Sequence, residues 1–125
     1  PNALLLAYPV VTAGEYAHRD SFVQLTGTQD VAAHQRFTLE DKITPVTPPV
    51  FVWHTMEDET VPVENTLLLL NALHKAGVPC EAHLFEKGCH GTSISTPEVD
   101  AATAGLNLRW SGWTIPFLSM PEIID

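Results

Sequence analysis

Two side chains in this sequence have both the chemistry and the neighbours needed to move a proton. Asp58 lies in the polar turn Glu57-Asp58-Glu59, and His90 lies in the glycine-flanked loop Gly88-Cys89-His90-Gly91. A histidine acts as general base toward a hydroxyl nucleophile only when a carboxylate accepts its second N–H. That contact fixes the tautomer and stabilises the imidazolium. The two groups must therefore meet in space. Asp58 follows one expected strand and His90 the next, and the helix between them returns the chain to the same sheet edge. Glu57 is the alternative acid, one residue away. His18, His34, His74 and His83 fit loop histidines held by backbone carbonyls, and His54 reads as a strand-end side chain satisfied inside the fold.

Other chemistries fit these residues less well. His54, Asp58, Cys89 and His90 could gather round a metal, but their spacing matches neither His-Glu-x-x-His nor paired Cys-x-x-Cys, so no metal and no cofactor is expected. Cys89 beside His90 suggests a thiol nucleophile, yet adjacent residues in a strand-end loop usually point apart. Cys80 and Cys89 form no disulfide-scaffold pattern and read as reduced thiols of a cytoplasmic-type protein.

The elements that would position these groups are short. The apolar run Leu4-Leu-Leu-Ala7 is expected to be a strand buried on both faces of a parallel sheet, with neighbours on both sides. Residues 10–49, broken by Gly14, Gly27, Pro45, Pro48 and Pro49, form a lid-like excursion with helical candidates only at 21–25 and 39–42. Residues 50–54, β-branched and aromatic, are the second buried strand, with Trp53 in the core. Pro62 suits the first turn of a helix, Leu67, Leu70, Leu73 and Ala76 recur at helical spacing, and Gly77 followed by Pro79 ends it. The alternating segment 80–85 is a third strand nearer the sheet edge. A further amphipathic helix is expected over 98–110 and a looser segment over 113–120, with Trp110 and Trp113 either in the core or on a sugar platform. This order predicts an α/β fold with a parallel sheet, whose functional residues gather beyond the carboxyl ends of the strands.

Composition narrows the partners. Fifteen acidic against six basic residues give a formal charge of −9, and Arg19, Arg36, Lys42, Lys75, Lys87 and Arg109 are scattered, so nucleic acid is an unsuitable partner. The acidity favours neutral substrates such as esters or sugars. No apolar run reaches the ~18–20 residues of a membrane span, and no membrane partner is expected.

The segment from Thr47 through His54-Thr-Met-Glu-Asp58-Glu-Thr-Val-Pro62 and Ala76-Gly-Val-Pro79 to Gly88-Cys-His90-Gly91 resembles the C-terminal half of α/β-hydrolase esterases. The groups it resembles are the acetyl-xylan-esterase and dienelactone-hydrolase-like ones. Ala7-Tyr-Pro-Val10 and His18-Arg-Asp-Ser-Phe22 are similar to the region after the nucleophile helix, although Gly often stands where Asp20 is here, and no substrate role is assigned to His18 or Ser21. The resemblance implies that Asp58 is the acid and His90 the base of a Ser-Asp-His triad. It also implies a serine in a Gly-x-Ser-x-Gly elbow ahead of Leu4, and that motif does not occur in these 125 residues. The chain is thus expected to be the C-terminal part of one catalytic domain of about three strands with flanking helices, inactive alone. Its parent would act on a small ester or an acetylated carbohydrate. An uncovered Leu4–Ala7 edge would favour pairing with another copy.

Overall fold

The structure, a computed structural model, describes residues 1–93. The helix expected over 98–110, the segment 113–120, Trp110 and Trp113 lie outside the described residues.

Three parallel strands form one sheet in the order β1 (Leu4–Ala7), β2 (Val50–Thr55), β3 (Cys80–Phe85). β2 is central, with Leu4 opposite Val50 on one side and Val50 opposite Cys80 on the other. All six of its residues are buried, as a strand laddered on both edges and covered on both faces requires. Its side chains alternate between the two faces. Val50 and Val52 pack with Val11, Leu69, Leu73 and Val78 on one side, while Phe51 and Trp53 pack with Ala3, Tyr8 and Phe85 on the other. Trp53 is in the core, as its strand position suggested.

β1 differs from its expected setting. Among the described residues it pairs with β2 alone, Leu4 and Leu6 are half-buried, and Leu5 is 47% exposed. As the outermost strand of this sheet it turns one ladder edge and alternate side chains outward. β3, at the opposite edge, likewise alternates exposed and half-buried residues.

The excursion between β1 and β2 is more ordered than its sequence suggests. It contains α1 (Arg19–Thr26), α2 (Val31–Gln35) and a 3-10 turn over Glu40–Lys42. The five-residue α2 went unread because it is short, yet Asp30 caps it through a 3.0 Å bond from the Ala32 N–H. The excursion is tied to the body by Asn65, whose Oδ1 accepts from the Val11 and Thr12 amides at 2.9 and 3.0 Å while Nδ2 donates to the Tyr16 and Pro62 carbonyls.

α3 (Glu64–Ala76) links β2 to β3. Pro62 precedes it, and the Gly77 backbone, at φ 70°, closes it with bonds to the His74 and Leu73 carbonyls, a conformation glycine adopts without a Cβ clash. Its buried stripe runs through Asn65, Thr66, Leu69 and Leu73, whereas Leu67 is 44% exposed. Of the expected row, Leu70, Leu73 and Ala76 pack on this core and Leu67 alone turns outward. The four consecutive leucines at 67–70 fit more than one helical register, and the packing of Leu69 and Leu73 on Val50 and Val52 selects the observed one.

Candidate active site

The site is built at the carboxyl ends of β2 and β3. After Thr55 the chain turns sharply, and Asp58 Oδ1 accepts the Thr60 and Val61 amides at 3.0 and 2.8 Å. Short polar side chains favour this capping of the following backbone, which here fixes the carboxylate in a buried position. The loop after β3 is held against the same turn. Met56 N–H donates to the Phe85 carbonyl at 2.8 Å, and the buried Thr55 hydroxyl donates to the Gly88 carbonyl at 2.7 Å. Gly91, at φ 79°, lets the chain leave His90 through the left-handed region.

These two turns bring Asp58 and His90 together. His90 Nδ1 lies 2.7 Å from Asp58 Oδ2, the Asp58 side chain is fully buried, and that of His90 is 31% exposed. Because a carboxylate oxygen accepts, Nδ1 carries the proton. That leaves Nε2 as the nitrogen able to take one from a hydroxyl. A cleft of about 550 Å³ opens beside the pair, lined also by Met56, Glu57, Glu59, Thr60 and Cys89.

The structure separates Asp58 from its neighbour Glu57. Glu57 faces outward, bound to the Lys87 ammonium at 2.7 Å and accepting the Gly88 amide at 3.4 Å. The Lys87 contact holds its carboxyl below the usual range and raises the Lys87 ammonium in return. Glu57 therefore steadies the His90 loop from outside. Of the other histidines, His34 is held by the Thr28 carbonyl at 2.9 Å as expected, although it lies on α2 rather than in a loop. His18 and His83 instead meet Ser21 Oγ at 2.8 Å and Glu81 at 2.7 Å. His74 is exposed.

His54 is satisfied inside the fold as its strand-end position suggested, but its contact with Asp58, and that of Tyr8 with His90, were not legible in the sequence. His54, wholly buried, lies 3.2 Å from Asp58 Oδ2 through Nε2, which also donates to the Val61 carbonyl at 2.9 Å. Burial pushes its imidazole below the ordinary value of 6.5, against the opposing pull of the Val61 carbonyl and Asp58. Tyr8, at the end of β1, sits at φ 39°, a conformation costing a non-glycine residue about 1–3 kcal/mol. Its N–H bonds the Trp53 carbonyl at 2.8 Å, and its ring stands edge-on to those of His90 and Trp53, with centroids 4.8 and 4.9 Å away. No type or spacing signal marks a tyrosine for such a backbone.

Among the described residues no three His, Cys, Asp or Glu side chains are placed to hold a metal ion. The His54 nitrogen nearest Asp58 donates its proton to a carbonyl, which leaves it no lone pair for a cation. Cys80 and Cys89 are both exposed. No helix among the described residues is long and apolar enough to cross a membrane.

The sequence matches the prolyl oligopeptidase family over residues 9–111, most of its length. The chain belongs to the prolyl oligopeptidase family. This family member is 38% identical over 106 residues to endo-1,4-beta-xylanase B of Butyrivibrio fibrisolvens, covering 84% of this chain and 17% of that protein. Among solved structures it is similar to an acetyl ester-xyloside bifunctional hydrolase of Caldicellulosiruptor lactoaceticus. The TM-score is 0.84 at 34% identity, over 100% of this chain and 44% of that one. It is also similar to a carboxylesterase of Lactobacillus plantarum, with a TM-score of 0.74 at 26% identity over 94% of this chain and 43% of the other. The three-stranded sheet with its flanking helices is therefore part of the α/β-hydrolase fold. The prolyl oligopeptidase family chain spans less than half the length of these solved structures.

Proposed function

We propose that this chain supplies the acid and base of a serine-type carboxylic ester hydrolase, acting on short-chain esters or on acetyl groups carried by carbohydrate. The observation that carries the reading is the 2.7 Å contact between a buried Asp58 carboxylate and a part-exposed His90 at the mouth of a cleft. His90 Nε2 would take the proton of a serine hydroxyl as that oxygen attacks the ester carbonyl, then give it to the departing alcohol. Asp58 would hold the tautomer and balance the imidazolium charge. Since Gly-x-Ser-x-Gly does not occur in the sequence, the serine and the oxyanion donors are assigned to polypeptide ahead of Pro1, and the 125 residues alone are assigned no turnover.

The similarity to a carboxylesterase and to an acetyl ester-xyloside hydrolase supports the ester class. The cleft lining, with Glu57 and Glu59 and with Lys87 paired to Glu57, supports an uncharged leaving group over an anionic one. The match to the prolyl oligopeptidase family favours a second reading, peptide hydrolysis by the same acid and base. Release of acetate from acetylated xylan, hydrolysis of short nitrophenyl esters and cleavage of peptide amides by the intact enzyme separate the two. Ester turnover exceeding amide turnover supports the first reading, and the reverse supports the second.

A further inference from the structure

We infer that His54 is a positioning residue for Asp58, aiming Oδ2 at His90 from inside the fold. The inference deepens the esterase reading, and its effect on turnover rests on that reading.

The geometry leaves His54 one tautomer. The Val61 carbonyl, 2.9 Å from Nε2, can only accept, so Nε2 carries the proton. Burial favours the neutral ring, so Nδ1 is bare and accepts the Thr66 hydroxyl at 2.7 Å. With Nδ1 and Nε2 both committed, the imidazole cannot flip without leaving polar groups of buried Thr66 and Val61 unpaired. The same Nε2 lies 3.2 Å from Asp58 Oδ2, so its one N–H, directed first at the Val61 carbonyl, is shared with the carboxylate.

The carboxylate is thus contacted at both oxygens: Oδ1 accepts the Thr60 and Val61 amides, and Oδ2 accepts from His90 at 2.7 Å and faces His54 Nε2 at 3.2 Å from below. The amides alone would allow the carboxylate to swing about the Oδ1 contact and carry Oδ2 away from His90 Nδ1. The N–H that His54 shares between Val61 and Oδ2 opposes that motion. The anchor chain runs from α3 through Thr66 and His54 to Asp58, so the outward face of the carboxylate is set by the helix packed on the sheet. A position described only as core would need volume at residue 54. This one needs a donor at the reach of Nε2.

That distinction selects the variants. His54→Gln carries an amide N–H about as far as Nε2, whereas His54→Asn stops about one bond short and still offers Thr66 a polar partner. Both go into the intact enzyme, and turnover is compared with the exchange protection of the His90 Nδ1–H, read by NMR of 15N-histidine-labelled protein. We expect wild-type His54 to show a bare Nδ1 and a protonated Nε2. His54→Asn should lose the protected His90 Nδ1–H and lower kcat by about 10- to 100-fold. Its KM should stay within about two-fold, the pattern of an interaction realised in the transition state. His54→Gln should restore both signals. Equal kcat and equal His90 protection in the two variants overturns the inference, as does a protonated His54 Nδ1 in the wild type. If His54→Asn does not fold, the wild-type tautomer and the His54→Gln protection decide alone. If instead wild type and His90→Ala hydrolyse esters equally poorly, the esterase reading fails while the NMR comparison still judges His54.

Discussion

Asn65 offers a perturbation whose size can be worked from its contacts. Its side chain is fully buried in the first turn of α3 and receives the amides of Val11 and Thr12, both buried, while donating to the Tyr16 and Pro62 carbonyls. Replacing it with leucine keeps the approximate volume and removes every polar atom. Each orphaned buried N–H costs about 1–3 kcal/mol, so the two amides together cost about 2–6 kcal/mol. The new apolar side chain returns about 1.5–3 kcal/mol of burial. From the middle of both ranges the expected net loss is about 2 kcal/mol, a sizeable share of the roughly 5–15 kcal/mol typical of a domain. Urea unfolding followed by tryptophan fluorescence should show the midpoint falling by about 1 M for an m-value of roughly 2–3 kcal/mol/M. Hydrogen exchange should show the Val11 and Thr12 amides losing protection beyond the global change. A midpoint within about 0.2 M of wild type, with those two amides still protected, would refute the reasoning that Asn65 joins the excursion to α3.

Leu73→Ala should destabilise by about 2–5 kcal/mol, whereas Leu67→Ala should stay within about 0.5 kcal/mol; equal losses would contradict the register assigned to α3. Gly91→Ala, at φ 79° with open space around the added Cβ, should cost about 1–2 kcal/mol through backbone conformation alone, read as a lowered thermal midpoint. Asp58→Asn keeps an acceptor for the Thr60 and Val61 amides but turns an NH2 toward His90. It should therefore favour the His90 tautomer protonated at Nε2 and lower ester turnover by about 10³–10⁴-fold; retained activity would contradict the assigned tautomer. His54 binds its proton more weakly folded than unfolded, so its contribution is complete above the ordinary value of 6.5 and is lost as pH falls below it. Unfolding free energy should drop between pH 7.5 and 5.5, and the drop should shrink in His54→Gln; an identical slope in both would contradict a buried neutral imidazole.

Much of this arrangement was legible because local chemistry and tertiary packing agree. β2 announces itself by an unbroken β-branched and aromatic run after a double proline, and the end of α3 by Gly77 and Pro79. The meeting of Asp58 and His90 was legible because each follows a strand and has its own turn signature, and the elements between them bring those strand ends to one edge. The excursion was readable only in part, since its α2 has five residues and its anchor is a single asparagine far along the chain. The buried side of α3 was ambiguous because four leucines in a row satisfy several faces, and only the sheet beneath decides among them. The exposure of Leu5 followed from the position of β1 in the sheet, which its composition does not encode. Tyr8 and the Asp58 contact of His54 depend on backbone angles and on a third residue meeting an existing pair. Tyr8 has no signature in residue type or spacing, and His54 was legible only as a strand-end histidine satisfied inside the fold.

The central claim is that His90, held by Asp58, is the base for ester hydrolysis. Its most direct test is the kcat/KM of the intact enzyme for a short nitrophenyl ester with His90 and with His90→Ala. Loss of the base should reduce it by about 10³-fold or more while the fold, judged by circular dichroism and thermal midpoint, is retained. Ester hydrolysis within about ten-fold of the parent rate in a folded His90→Ala variant would contradict it.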